Sequence, residues 1–232
     1  MKTLLLLLLC LITSANAQQP EANAQQRPAR KPNAPLAAIT DEPGLPRVLL
    51  IGDSISIGYT LPVRELLKGK ANVHRIPANG GSTKDGVTKI ATWLGDGKWD
   101  VIHFNWGLHD LKHWKDGKLD PAGPEVSTLD EYEKNLRELV KRMKLTGAKL
   151  IWATTTPVPE GSGGRTAGDE AKYNEAASRV MKDLGVPTDD LHALCMPKLA
   201  AWQLPKNVHF KPEGSAALAA KVSSDIQAAL PK

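Results

Sequence analysis

The chain has 232 residues and a formal charge of +5, and its basic residues are either in the first 45 positions or interleaved with acids. No basic stripe with stacking aromatics and no reader motif is present, which argues against nucleic-acid recognition. The two cysteines, Cys10 and Cys195, and histidines that form no H-E-x-x-H motif give no zinc signature, so neither metal nor other cofactor is expected.

Met1-Lys2 is followed by an apolar run over 4–12 and by Ala15-Asn16-Ala17. A positive start, an apolar stretch shorter than the ~20 residues of a spanning helix and an A-x-A site describe a secretory signal peptide over 1–17. Export to the periplasm or outside the cell is therefore expected, with no stable membrane anchor after cleavage. Cleavage would leave Cys195 as the only thiol, so the mature chain could form no intrachain disulfide. Residues 18–45 are Gln, Ala, Pro, Asn and Arg with few bulky apolar side chains, and read as a flexible linker. Residues 46–232 suffice for one α/β domain.

Within that domain, short β-rich runs alternate with segments of helical period, the pattern of a mainly parallel sheet covered on both faces. Strands are predicted at 47–51, 73–76, 100–104 and 149–153, with a weak fifth near Val186-Pro187. Helices are predicted at 63–68, 84–94, 129–146, 169–184 and 212–229. Gly147 and Gly185 stand where C-terminal cap glycines belong, and Pro212 suits a first helical turn. Ligands of such sheets bind beyond the carboxyl ends of the strands. Three segments lie there: Gly52-Asp53-Ser54-Ile55, residues 105–110, and Thr154-Thr155-Thr156-Pro157.

A serine between a buried strand and a helix is placed for nucleophilic attack, with backbone N–H groups nearby to hold an oxyanion. By position alone, Ser54 is equally a helix cap. The order of motifs decides between these readings. Gly52-Asp53-Ser54-Ile55, Asn79-Gly80-Gly81-Ser82-Thr83, Gly107-Leu108-His109-Asp110 and Val208-His209-Phe210 resemble, in order, the four blocks of the SGNH/GDSL hydrolases.

The resemblance implies a flavodoxin-like three-layer α/β/α sandwich of about five strands and hydrolysis of carboxylic esters. Ser54 would be the nucleophile, His209 its general base, and an acyl-enzyme the intermediate. The oxyanion hole would be built from the Ser54 and Gly81 backbone N–H groups and a side chain of the third block. The family has asparagine where this chain has His109. A neutral imidazole can donate one hydrogen bond in its place, and Asn105 at the end of the same strand is the alternative. The last block departs further: D-x-x-H is replaced by Lys206-Asn207-Val208-His209, so the acid that orients the histidine is absent. Asp189 and Asp190 are candidates to replace it, as is a backbone carbonyl; as a structural alternative, the two acids cap a helix. His103 and His74 read as strand residues, and His192 as part of a short helix.

Two long loops, 111–128 and 154–168, should shape the pocket and offer Trp114 and Arg165 as substrate contacts. An aromatic face with cationic neighbours suits a sugar, and no apolar or Met-rich segment suggests an acyl-chain tunnel. A small-molecule or polysaccharide ester is the expected partner, with deacetylation of a carbohydrate the expected reaction. The competing reading is an exported, non-catalytic carbohydrate- or ligand-binding protein on the same scaffold.

Overall fold

A computed structural model describes residues 34–231. Strand β1 (Arg47–Ile51) leads into helix α1 (Ser54–Leu66), then β2 (Asn72–Arg75), α2 (Thr83–Leu94) and β3 (Val101–Phe104). A hairpin of β4 (Trp114–Lys115) and β5 (Lys118–Leu119) follows, before α3 (Leu129–Lys144), β6 (Lys149–Ala153) and α4 (Glu170–Leu184). The chain closes with β7 (Thr188–Asp189), the short helices α5 (Leu191–Cys195) and α6 (Leu199–Trp202), and α7 (Pro212–Ala229).

The five larger-sheet strands run parallel in the order β2-β1-β3-β6-β7. β1 and β3 are central, and from Val48 to Ile51 and Val101 to Phe104 every residue is buried, because helices cover both sheet faces. Helices α1 and α7 pack together, while α3 packs between α2 and α4. The result is the expected three-layer α/β/α sandwich. Its strand order reverses at β1, with β2 on one side and β3 on the other, and there the loops after β1 and β3 part to form a crevice.

Most predicted elements stand within two residues of their expected places; the first helix differs more, and one hairpin was not expected. The first helix begins at Ser54 rather than residue 63. Glycine and proline disfavour a helix interior, yet with Gly58 and Pro62 present, Ile55, Tyr59 and Val63 at helical spacing are buried on one face, and this carries the helix through Pro62. The fifth strand lies at Thr188–Asp189, just past the expected Val186-Pro187, where Thr154 N donates to Asp189 O. The loop over 111–128 contains the unpredicted β4-β5 hairpin.

The linker assignment also needs correction over its last part. Residues 34–45 lie against the domain: Asn72 exchanges hydrogen bonds with Glu42, Arg64 donates to Ala34 O and Ala37 O, and Asp41 pairs with Arg47. Polar side chains of the domain supply what the segment lacks in apolar burial. The expected signal peptide and residues 18–33 fall outside the described residues. Among the described residues, no helix is long and apolar enough to cross a membrane.

Candidate active site

The turn after β1 is fixed from three directions. The Asp53 side chain caps α1 by accepting from Ile55 N at 2.9 Å, which presents Ser54 as the first helical residue. Beneath it the buried guanidinium of Arg75 donates to Gly52 O, Asp53 O and Ser56 Oγ at 2.7–3.1 Å. Burial pushes Arg75 down to about 10, so it keeps its charge at neutral pH. From the side, Gly80 N donates to Gly52 O at 2.9 Å, and a Cβ on Gly80 would come equally close to that oxygen. Only glycine permits the second block to approach the first so closely.

Ser54 Oγ lies 2.8 Å from His209 Nε2, although 155 residues separate them in sequence. The other face of the imidazole meets Asn207. Its Oδ1 is 2.6 Å from His209 Nδ1 and 3.0 Å from the His209 backbone N, which can only donate. The atom facing both is therefore the amide oxygen, Nδ1 carries the proton, and Nε2 presents its lone pair to the serine hydroxyl. Lys206 makes this possible by taking φ +55, a left-handed conformation uncommon for lysine, where the family motif would place its acid.

Asp189 and Asp190, the expected candidates to orient His209, are committed elsewhere. Asp189 is wholly buried, 2.9 Å from His103 Nε2 and 3.0 Å from Lys221 Nζ. Asp190 caps α5 through Ala193 N and accepts from Thr154 Oγ1. Asp189 lies in β7 opposite Ala153, the last residue of β6, and Asp190 follows it; their side-chain contacts are to β3, α7, Thr154 and α5.

The third block brings His109 into the same cleft. Lys112 Nζ lies 3.1 Å from His109 Nδ1, and an ammonium can only donate. Nδ1 therefore accepts and Nε2 carries the proton, the tautomer an oxyanion donor needs. Burial holds His109 below the ordinary imidazole range; Asp53 opposes this while the Lys112 and Arg165 charges add to it. The ring is thus neutral at physiological pH. Asn105 is tied to the sheet end, where one Nδ2–H donates to Ala153 O at 2.8 Å, and it is not among the residues that line the cleft. Asp110, beside His109, accepts from Thr83 N and Thr83 Oγ1 and ties the third block to α2. Its burial outweighs those bonds and pushes it up to about 6.

Gly81 takes φ +62, where a Cβ would strike Asp85, so the position requires glycine. Its N–H is bonded to Asn79 Oδ1 at 2.9 Å. Of the three donors expected for an oxyanion, it alone is already engaged, and it is Asn79 that lines the cleft.

The cleft has a volume of about 450 Å³, and its walls include Ser54, His109, Lys112, Arg165, Asn207 and His209. Arg165 Nε donates to Leu108 O at 2.8 Å and His113 N to Gly164 O at 2.8 Å, so the two long loops are tied to each other and to the third block. Trp114, 46% exposed on the hairpin, lines an adjoining recess of about 410 Å³ that shares His109 and Lys112 with the cleft. Both expected substrate contacts therefore border this face. Asn207, Arg75 and Lys112 were not predicted from the sequence. Only Lys112 left a local signal, a cation three residues after the histidine it polarises.

The arrangement can hold a proton-accepting imidazole against a serine hydroxyl and offer neutral donors across the cleft, the requirements of acyl transfer. The chain matches the GDSL-like lipase/acylhydrolase family over residues 50–217. Solved structures of like fold include an acetyl xylan esterase, AlAXEase, at 17% identity (TM-score 0.66, covering 78% of this chain and 99% of that one). Others are a lipase/acylhydrolase from Enterococcus faecalis at 18% (0.68, 81% and 98%) and the acetylxylan esterase Axe2 from Geobacillus stearothermophilus at 21% (0.65, 78% and 94%). No curated protein matches the sequence.

Proposed function

The chain belongs to the GDSL-like lipase/acylhydrolase family and is a carboxylic ester hydrolase, and from that premise we propose that it is an exported serine esterase that deacetylates a carbohydrate, with Ser54 and His209 as its catalytic pair. The observation that carries the assignment is the relay from Ser54 Oγ to His209 Nε2 and from His209 Nδ1 to Asn207 Oδ1, at 2.8 and 2.6 Å.

In this mechanism His209 takes the Ser54 proton as Oγ attacks the acyl carbonyl. The tetrahedral oxyanion accepts from Ser54 N–H and His109 Nε2–H, and from Gly81 N–H once Asn79 gives it up. His209 then returns the proton to the departing alcohol. Water, deprotonated by the same imidazole, cleaves the acyl-enzyme. Asn207 holds the ring in the required tautomer without lending it charge, so the imidazolium of the transition state is less stabilised than beside a carboxylate.

The carbohydrate assignment rests on the Trp114 face and the many polar side chains that line the open cleft, and the cleft formed by the described residues is not an apolar tunnel for a long acyl chain. Acetyl xylan esterase activity is named for two proteins of this fold. Export rests on the amino-terminal signal in the sequence.

The test is covalent labelling of the purified protein by a fluorophosphonate, with the adduct mapped by mass spectrometry, alongside acetate release from acetylated oligosaccharides. A Ser54 adduct that Ser54→Ala abolishes is the expected result. No adduct and no turnover would leave a binding protein on this scaffold as the better account.

A further inference from the structure

Lys112, Arg165 and Lys206 line the cleft that holds Ser54 and His209, and the only carboxylate on its walls is Asp53. Asp53 is 2% exposed and already caps α1. Three cations thus face one largely covered anion. Elsewhere in the domain, partly buried cations are held in either of two ways: Lys221 meets Asp189 and Asp225 and Arg47 meets Asp41, whereas Arg64 and Arg75 are each held by backbone carbonyls with no carboxylate of the described residues in ion-pair range. Among the described residues, none of the three cleft cations lies within ion-pair distance of a carboxylate. The Arg165 guanidinium bonds two backbone carbonyls, Leu108 O and Gly163 O, and Lys112 meets the His109 imidazole.

This arrangement is costly for an empty pocket. Burial draws both Lys112 and Arg165 below their ordinary values, and the Arg165 charge lowers Lys112 further, while Asp53 only partly offsets this. Half-buried cations that repel one another gain most from an incoming anion, which replaces the water each has lost with a charge-assisted hydrogen bond. A neutral acetylated sugar would leave them as they are. Resting on the serine-esterase reading for its location, we propose that the cleft selects carbohydrate esters bearing an anionic substituent, a carboxylate or a sulfate, close to the ester-bearing sugar. The adjoining recess beside Trp114 continues the cleft past Lys112 and gives room for a neighbouring sugar of the same chain. The anion thereby fixes the register of a glycan whose acyl group reaches Ser54.

Binding by the Ser54→Ala protein, followed by calorimetry, tests this without turnover. The probes are three matched xylo-oligosaccharides: one bearing glucuronate, one bearing sulfate and one unsubstituted. At least one anionic chain is expected to bind about 10–100-fold more tightly than the neutral chain, the range of one charge-assisted hydrogen bond. Which one binds identifies the source of the charge. The preference should shrink with added salt and in Lys206→Gln, which removes the charge of an exposed side chain of similar length. Arg165→Gln should reduce it further, and Arg165→Lys should restore part of it, less for carboxylate than for sulfate because the planar fork is lost. The inference is overturned if all three chains bind within a factor of two, if neither anionic chain binds at millimolar concentration, or if the preference survives in Arg165→Gln/Lys206→Gln. Fluorophosphonate labelling of the wild type is scored separately. Its failure would sink the esterase reading and leave the binding comparison to decide the charge selectivity.

Discussion

Two of the imidazoles held by side-chain oxygens in this domain stand in opposite settings. His209 is exposed at the cleft and meets the Asn207 amide, whereas His103 is fully buried in β3 and meets the Asp189 carboxylate, which Lys221 also engages. The carboxylate-histidine pair, the arrangement usually sought in a triad, is therefore in the sheet, and the histidine beside the serine has a neutral partner. Bond geometry alone does not separate the two, since each oxygen accepts one imidazole N–H. The difference lies in what the second ring nitrogen faces: Ser54 Oγ in one case, and in the other no hydrogen-bond partner at all among the described residues. A carboxylate-histidine pair in the core thus reports on packing, and the proposed catalytic role of His209 follows from the serine hydroxyl at the far side of its ring.

If that division holds, substitution of the two pairs should damage different properties. The largest effect is expected at the exposed pair. Ser54→Ala and His209→Ala should each lower turnover of an acetyl ester by about 10⁴–10⁶, and the double variant should cost little more because both act in one proton transfer. Their unfolding midpoints should stay close to wild type, since neither removes buried apolar surface. Additive losses, or a collapse of stability in His209→Ala, would dissolve the contrast.

At the buried pair the loss should be in stability. Asp189→Ala leaves His103 without its anion and Lys221 with Asp225 alone, and breaking a buried pair in this way costs about 3–5 kcal/mol, readable by urea denaturation. Burial alone would raise Asp189, but its hydrogen bonds and charge interactions with His103 and Lys221 outweigh that and hold it low. A carboxyl whose folded value lies below its unfolded one contributes stability that is present above the unfolded value and lost as pH falls through the folded one. The variant should therefore lose part of the acid dependence of wild-type stability below about pH 4. Asp110 works in the opposite sense. Raised to about 6, it binds more protons when folded, so its contribution declines as pH rises from about 4 to 6.

The sequence made one of these pairs legible and not the other. Gly52-Asp53-Ser54-Ile55 and Val208-His209-Phe210 carry local patterns, so their meeting could be expected from motif order although 155 residues lie between the two side chains. Strands β1 and β6 and helix α7 were legible to the residue, because continuous apolar runs and terminal prolines are local signals. The partner of His209 was not. Asn207 stands two residues before the histidine, one place from where the family has its acid, and only the left-handed turn at Lys206 swings its amide to Nδ1. Arg75 read as an ordinary strand residue, since its role in clamping the nucleophile turn depends on the β1-β2 pairing. The β4-β5 hairpin, two residues per strand and exposed throughout, has too little periodicity to be read.

The oxyanion side of the cleft offers an intermediate test. His109→Ala should lower kcat by about 10²–10³ with KM nearly unchanged, as for loss of one transition-state donor. Asn105→Ala removes a bond to Ala153 O instead, and should cost about 1 kcal/mol of stability with a smaller effect on kcat. The reverse ranking would show that the donor had been assigned to the wrong side chain.

The smallest effect is the most discriminating, because it asks whether Asn207 is a catalytic orienting group or a structural cap of its turn. Asn207→Asp keeps an oxygen acceptor at the same reach from Nδ1 and the backbone N–H of His209, and adds the charge that the imidazolium lacks. A hydrogen bond to a charged partner exceeds a neutral one by roughly a factor of two in free energy, and exposure to water discounts the gain. The expected increase in kcat is therefore about three- to tenfold. Because the carboxylate stabilises the protonated ring, the acidic limb of the pH-rate profile should move to higher pH, the direction in which a base gains protons more readily. Asn207→Ala should lower kcat by a similar factor, with water taking up Nδ1–H. A residue that only shaped the turn would change stability in both variants and leave the pH-rate limb where it stands in the wild type. A shifted limb in Asn207→Asp, with stability unchanged, would instead place Asn207 in the relay and explain how this esterase works with an amide where its family has an acid.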